Sequence, residues 1–134
     1  MKRYLIVDDK RNANMLMSEI LSDMGDGTED TSFSLEVART PLEGYAALSK
    51  SLIEKRYDVL FLDHDLGAAE SGFDILKTIL GECFTVHGEV DRSLFDNLPK
   101  KIVCVSSNPP GRANIEALVE TIEKMRSDHE RKES

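Results

Sequence analysis

The stretch from Tyr57 to Asp74 places the strongest constraint on the fold of this chain. Residues 59–62 (Val-Leu-Phe-Leu) form an unbroken apolar run with no helical stagger, and charged residues bound it on both sides. Such a run is typical of a strand that is covered on both faces of a parallel sheet. Open parallel sheets bind ligands outside the carboxyl ends of their strands, where Asp63 and Asp65 stand here. We therefore expect the chemistry of the chain at that end of the sheet.

A second acidic pair follows another apolar run near the start of the chain. Residues 4–7 (Tyr-Leu-Ile-Val) end at Asp8 and Asp9. If the two strands are parallel neighbours, Asp8, Asp9 and Asp63 converge at one end of the sheet. Clustered carboxylates repel one another, so such a cluster normally holds a cation or a proton. Oxygen ligands without a His or Cys framework favour Mg2+, and the alternative is a set of solvated aspartates that cap the helices after them.

Length and composition indicate one soluble globular domain. The 134 residues suffice for a single core, and 40% of them are apolar and 31% charged. The net charge of -8 argues against a broad nucleic-acid binding surface. No segment approaches membrane-spanning length, and residues 4–7 are too short for a signal-peptide core, so we expect no membrane partner and a cytoplasmic location. Cys83 and Cys104 lack metal-site spacing and are expected to be buried free thiols.

Hydrophobic periodicity predicts four strands that alternate with four helices. The predicted strands are 3–7, 33–38, 58–62 and 101–105, and the predicted helices are 12–24, 40–55, 71–81 and a last one that ends near 126. The first helix should bury Met17, Ile20, Leu21 and Met24 beside Leu16, and strand two should point Phe33, Leu35 and Val37 inward at a sheet edge. The last helix should carry Ile115, Leu118, Val119, Ile122 and Met125 on one face. This order implies an α/β fold with a right-handed parallel sheet in strand order 2-1-3-4.

Local signals mark the helix ends and the irregular segments. Capping boxes are predicted at 40–43 and 71–74, and Gly25 is a candidate helix C-cap. Residues 82–99 lose the pattern, although His87 and Gly88 could turn a short hairpin. Residues 127–134 are charged and lack apolar anchors, so we expect this tail to fray outside a single domain of residues 1–126.

The layout resembles the receiver domains of two-component response regulators. The acidic pair Asp8-Asp9 follows strand one, Asp63 ends strand three and Ser106 follows strand four. The resemblance implies a flavodoxin-like three-layer sandwich in which Mg2+ is held by these carboxylates. It also implies that Asp63 takes a phosphoryl group from a histidine kinase or a small phosphodonor, and that Ser106 hydrogen-bonds this group. Since no output domain is attached, a stand-alone receiver would act through an output protein.

The sequence departs from ordinary receivers at the end of the sheet. Receivers have a fifth strand that ends in a lysine paired with the phosphoryl group, and this chain shows no clear fifth strand. Lys100 and Lys101 begin strand four at the opposite edge and cannot substitute. Arg112, at the start of the last helix, and Arg11, after the acidic pair, are the candidates to hold a phosphate oxygen.

A narrower group of short receiver-like domains accounts for this departure. The sequence is similar to the cyclic-phosphate-processing receiver-like domains, which share the motifs at 8–11 (Asp-Asp-x-Arg), 62–67 (Leu-Asp-His-Asp-Leu-Gly) and 106–111 (Ser-x-Asn-Pro-x-Gly). Those domains also end after the helix that follows strand four, and the resemblance implies the handling of cyclic phosphates on RNA or nucleotides. Val105 stands where that group has a histidine, so an acid or base step would fall to His64.

Three functions remain open from the sequence. The favoured one is Mg2+-dependent phosphoryl acceptance on Asp63, with Asp65 as a further metal ligand through its backbone carbonyl. The second is Mg2+-dependent attack of water on a cyclic phosphate of a nucleotide or RNA end, in which Asp63 and Asp65 are ligands or bases and His64 is a general acid. The third is a non-catalytic pseudo-receiver that binds a partner. Whether the chain is an enzyme is left open.

Overall fold

The computed structural model describes residues 1–10, 13–24 and 32–133 of the chain. The strands in these ranges are β1 (Lys2–Val7), β2 (Phe33–Ala38), β3 (Val59–Leu62) and β4 (Lys101–Cys104). The helices are α1 (Ala13–Met24), α2 (Pro41–Ile53), α3 (Gly72–Glu82), α4 (Arg92–Phe95) and α5 (Pro109–Glu133). None of these helices combines the length and the apolar character that crossing a membrane requires.

The four strands form one parallel sheet in the order β2-β1-β3-β4, which confirms the predicted topology. Backbone hydrogen bonds continue past the strand ends, from Asp63 N to the Val7 carbonyl (3.0 Å) and from Val105 N to the Leu62 carbonyl (3.1 Å). The residues that follow β1, β3 and β4 therefore leave the sheet side by side. Within the described residues no fifth strand joins β4, so β4 is an edge of the sheet.

The apolar run of β3 is buried because helices cover both faces of the sheet. Leu60 and Leu62 belong to the larger core, which packs against α2, α3, α4 and α5. Val59 and Phe61 belong to a smaller core on the other face, where α1 contributes Ile20. The molecule is therefore a three-layer α/β sandwich, as the sequence predicts.

The predicted core face of α1 is wrong at one position. Ile20 is fully buried, whereas Leu21 is 61% exposed. Among the side chains of α1 that the structure describes, Ile20 packs into the smaller core, and the next residue, about 100° around the axis, points to solvent. The predictions for the side chains of Leu16, Met17 and Met24, and for Gly25, concern positions outside the described part of the chain.

The edge position of β2 is confirmed, but its predicted inward face is partly wrong. Phe33 and Leu35 pack against the smaller core, while Val37 is 37% exposed. Ala38 is buried in the larger core instead. An edge strand between two helical layers has no single inward face, because each of its faces meets a different layer.

The two predicted capping boxes differ in the structure. At α3 the box is complete, since the Ser71 hydroxyl accepts from the Asp74 backbone N–H and the Asp74 carboxylate accepts from the Ser71 N–H (2.8 Å). At α2 Thr40 caps the helix, but the Glu43 carboxylate accepts from the Arg39 N–H (3.1 Å) rather than from Thr40. Hydrogen bonds from the Ser71 backbone and hydroxyl lower the pKa of Asp74.

The segment 82–99 contains the predicted hairpin and an element that the sequence did not reveal. Phe84 and Val90 form an antiparallel bridge, and Gly88 turns the chain with a φ of 80°. The short helix α4 follows, with Phe95 fully buried in the larger core. The segment therefore closes one side of the core as well as connecting α3 to β4.

The last helix extends beyond its predicted end. It carries the five predicted apolar residues toward the larger core, and its backbone stays helical to Glu133 instead of stopping near 126. Residues 127–133 are rich in Arg, Lys and Glu and contain neither Gly nor Pro, so nothing in their composition ends a helix. The domain limit at 126 and the fraying of the tail stay predictions.

The two cysteines are buried free thiols, as predicted. Burial raises the pKa of the Cys83 thiol to about 11 and also raises the pKa of Cys104. Both thiols therefore stay protonated at neutral pH and contribute to packing.

A buried carboxylate ties together the amino ends of β1 and β4. The Asp23 side chain, which is 4% exposed, accepts hydrogen bonds from the Lys101 ammonium (2.9 Å) and the Tyr4 hydroxyl (2.8 Å). The Lys2 ammonium lies 3.4 Å from the same carboxylate. Burial by itself raises the pKa of Asp23, but the hydrogen bonds and positive charges of its partners outweigh it and lower the pKa.

We expect Asp23→Asn to lower the free energy of unfolding at pH 7 by about 1–2 kcal/mol, because it removes the charge from these hydrogen bonds. The pKa of Asp23 is lower in the folded than in the unfolded chain. Its ionised form therefore adds to the free energy of unfolding at any pH above the unfolded-state pKa, and this stabilisation is lost as the pH falls through the folded-state pKa. Urea denaturation at pH 7 and at successively lower pH should therefore show that the difference in the free energy of unfolding between native chain and variant becomes smaller in acid. A difference in the free energy of unfolding that does not change with pH would contradict the stabilising role of the Asp23 carboxylate. An equal loss of stability in the exposed control Asp128→Asn would contradict it as well.

Candidate metal centre

Three carboxylates meet where β1 and β3 end. One oxygen each from Asp8, Asp9 and Asp63 lies within 4.8 Å of the other two. The strands bring them together because Val7 pairs with Leu62, so the residues that follow occupy the same edge of the sheet. The predicted convergence of these three aspartates is thus present in the structure.

Asp8 is fixed by the backbone around it. Its side chain is fully buried, and its Oδ1 accepts a hydrogen bond from the Lys10 N–H (2.9 Å). The Arg39 guanidinium donates to the Asp8 carbonyl (3.2 Å), which places a positive charge beside the cluster. Asp8 therefore points into the site in one fixed orientation.

Asp9 carries the most informative atom of the cluster. Its Oδ1 is buried, and among the described residues none donates a hydrogen bond to it. Its Oδ2 lies against Gly67, whose φ of 66° suits glycine and where an added Cβ would come within 2.7 Å of that oxygen. A buried carboxylate oxygen without a donor is unfavourable unless a cation, a proton or an ordered water satisfies it.

Asp63 is held by the turn from β3 into α3. Its Oδ1 accepts from the Asp65 N–H (3.3 Å), and the Gly72 N–H donates to the His64 carbonyl (2.8 Å). Gly72 lies so close that an added Cβ would overlap the Asp63 carbonyl oxygen. The first turn of α3 can therefore pack directly against the strand end.

Asp65 lies outside the carboxylate cluster and holds an imidazole. Its Oδ1 is 3.1 Å from His64 Nδ1 and accepts from the Asn108 side-chain amide (3.3 Å). Because a carboxylate only accepts, this hydrogen bond needs the ring proton on Nδ1, and it leaves Nε2 outside the pair. The hydrogen bonds from His64 and Asn108 lower the pKa of Asp65.

The loop between β4 and α5 closes the site on the other side. The Ser106 side chain is buried, and its hydroxyl oxygen accepts from the Asn108 N–H (3.0 Å). The Asn108 side-chain oxygen Oδ1 accepts from the Gly111 N–H (3.2 Å). Gly111 lies so close to the His64 ring that any side chain at this position would overlap the imidazole. The loop therefore orders Ser106 and His64 together.

Of the two predicted phosphate-binding arginines, the structure describes only Arg112. Arg112 is exposed and donates from Nε to Glu116 (2.8 Å), and this partner raises the pKa of the guanidinium. Arg11 lies outside the described residues. Val105, at the position of the family histidine, is buried in the smaller core.

The sequence did not point to Arg39, and it marked Asn108, Gly67 and Gly111 only as motif positions without a structural role. Asn108 precedes two prolines at the start of a helix, which is a signal for a polar side chain that organises a helix start. Arg39 gave no such signal, because its contact with Asp8 arises from the pairing of β1 with β2.

The sequence matches the family model for the cyclic-phosphate processing receiver domain over residues 3–121. The chain belongs to this family. Among solved structures it is similar to the response regulator domain of Thermotoga maritima CheB, with 17% identity, a TM-score of 0.46 and coverage of 92% of this chain and 95% of that one. None of the curated proteins is significantly similar to it in sequence.

The membership agrees with the resemblance that the sequence motifs indicated. This receiver domain has the acidic pair after β1 and the aspartate after β3 at one edge of the sheet. The structure brings His64, Asp65 and Ser106 to the same edge and directs Arg112 to a partner on α5. The chemical roles of these residues stay predictions.

We expect Gly67→Ala to weaken divalent-cation binding about tenfold, because its methyl group would displace Asp9 Oδ2. Gly88→Ala is the matched control, since Gly88 also has a positive φ but an added Cβ there meets nothing within 4 Å. Both variants should lower the free energy of unfolding by about 1 kcal/mol through the same backbone strain. Isothermal titration with Mg2+ or Mn2+ measures the difference, and equal affinities in the two variants would contradict the role of Gly67.

Proposed function

We propose that this receiver domain binds Mg2+ at Asp8, Asp9 and Asp63 and opens cyclic phosphate esters of nucleotides or RNA ends. The observation that carries the metal assignment is the buried Asp9 Oδ1 without a donor inside a group of three carboxylates. Membership in the cyclic-phosphate processing receiver family supports the substrate class.

The three side chains fit Mg2+ by their chemistry. All the donors are carboxylate oxygens, and Mg2+ prefers such hard oxygen ligands while keeping several of its waters. When bound, Mg2+ supplies a Lewis acid for a phosphoryl oxygen and increases the acidity of water. The Arg39 guanidinium, held on the Asp8 carbonyl, adds a positive charge for an anionic substrate.

The reaction itself needs a nucleophile and a proton for the leaving oxygen. Water attacks phosphorus, one ring P–O bond breaks, and the proton released by the water balances the one taken up by the departing oxygen. The products are a phosphate monoester and a free hydroxyl group. We assign the proton transfer to His64, since Asp65, which accepts from the Asn108 amide, holds its Nδ1 and Gly111 lies against the ring. The buried Ser106 hydroxyl is a contact for a phosphoryl oxygen.

Phosphoryl acceptance on Asp63 is the second candidate function. Its specific support is that Asp63 and Ser106 follow adjoining strand ends, since Leu62 pairs with Cys104. In that reaction an Asp63 oxygen attacks the phosphorus of a donor, an acyl phosphate forms and the bond to the leaving group breaks. The donor would be a histidine kinase or a small phosphodonor, and the phosphorylated domain would act on an output protein.

The test compares the native chain with Asp9→Asn and Asp63→Asn for Mg2+-dependent turnover of 2′,3′-cyclic nucleotides. We expect the native chain to produce nucleoside monophosphates and both variants to lose more than about a hundredfold in kcat/KM, because each removes a proposed metal ligand. Asp128→Asn, an exposed aspartate on α5, should leave turnover unchanged. Turnover that survives removal of Mg2+ by EDTA would overturn the proposal.

Intact-mass spectrometry after incubation with Mg2+ and acetyl phosphate separates the second function from the first. A phosphoryl adduct on the native chain that is absent from Asp63→Asn, without turnover of cyclic nucleotides, would establish acceptance instead. Neither adduct nor turnover, together with no Mg2+ binding, would contradict both functions and leave a domain that only binds a partner.

A further inference from the structure

A groove of about 880 Å3 opens between the start of α2, the loop after β3 and the first turns of α3. Its lining includes Pro41, Leu42, Tyr45, Ala68, Glu70 and Thr78. The volume lies within the range of small-molecule sites, roughly 300–1,000 Å3. Leu42 is 75% exposed, so a large apolar side chain in the groove wall is left uncovered by the rest of the described chain.

The lining of the groove begins one residue after Gly67, which lies against the candidate metal centre. Gly67 packs against Asp9 Oδ2, and Ala68, the next residue, already lines the groove. Consecutive Cα atoms are about 3.8 Å apart, so the path from Gly67 to Glu70 spans at most about 11 Å. A single small molecule can therefore reach the carboxylate cluster and the groove together.

The charges of the groove select which part of such a molecule enters it. Glu70 and Asp74 make the lining acidic, which repels a phosphate group. The exposed Glu70 carboxylate can accept hydrogen bonds from N–H donors, whereas Asp74 Oδ2 already accepts from Ser71. Leu42 and Tyr45 offer apolar surface to a flat ring. The complementary group is neutral, flat and rich in N–H donors, as guanine is.

We propose that this groove binds the nucleobase of a nucleoside cyclic phosphate whose phosphate lies at Asp8, Asp9 and Asp63. The inference rests on the proposed function and narrows its substrate to molecules that carry a base, with guanine favoured by the carboxylate of Glu70. The contacts to the phosphate then contribute to the binding of every cyclic phosphate, whereas the groove contributes only to the binding of those that carry a nucleoside.

The kinetic experiment uses two substrates, guanosine 2′,3′-cyclic phosphate and the base-free glycerol 1,2-cyclic phosphate. Leu42→Ala should lower the preference for the guanosine substrate, expressed as the ratio of the two kcat/KM values, about tenfold. Ile53→Ala is the matched control, because Ile53 lies on the same helix with a similar exposure (77%) but outside the groove. The same preference in the native chain and in Leu42→Ala would overturn the inference while the proposed function stands.

A binding experiment without Mg2+ tests the groove independently of turnover. Guanosine alone, added to the native chain, should shift the backbone amide resonances of Ala68, Ala69 and Thr78, and Leu42→Ala should weaken these shifts. If they occur while no cyclic phosphate is turned over, the groove assignment holds and the proposed function fails. Amide shifts that depend on the concentration of the protein and not on that of guanosine would show that a second copy of the chain covers the groove. That result would overturn the inference.

Discussion

Parallel pairing between β1 and β3 is the interaction on which the candidate site depends. The ladder joins Val7 to Leu62 and continues to the Asp63 N–H, so the two strands end in the same plane. Two unit charges at 4.8 Å, the limit of the cluster, repel by about 3.5 kcal/mol at an effective dielectric constant of 20. Burial of one large apolar side chain contributes about 1.5–3 kcal/mol, so several such residues on β1 and β3 outweigh this repulsion. The sheet forces the carboxylates together, and the cation that we propose at this site would relieve the remaining cost.

Close backbone contacts shape the rest of the site. Gly67 lies against Asp9, Gly72 against the Asp63 carbonyl and Gly111 against the His64 ring. Each glycine allows a loop or helix start to approach a functional side chain from a different direction. The result is a site whose side chains are positioned by backbone atoms, which move less than other side chains do, and such preorganisation favours chemistry on a bound phosphate.

Much of this arrangement could be predicted from the sequence because it follows from local patterns. The run 59–62 indicates a doubly covered strand, and aspartates after two such runs must meet if the strands are parallel neighbours. The errors arise where tertiary packing decides. Leu21 fits a helical stripe, but the residue before it, Ile20, is the one that packs against the sheet. The bonds of Asn108 to Asp65 and of Arg39 to Asp8 join distant segments, and no spacing in the sequence encodes them.

We propose that the three strand-end carboxylates form one metal site. Anomalous diffraction from a crystal of the native chain soaked with Mn2+, a stand-in for Mg2+, tests it most directly. The account predicts one strong peak bonded to oxygens of Asp8, Asp9 and Asp63, with Asp9 Oδ1 among its ligands. A peak elsewhere on the molecule, or a well-ordered carboxylate cluster with no peak at saturating Mn2+, would contradict it.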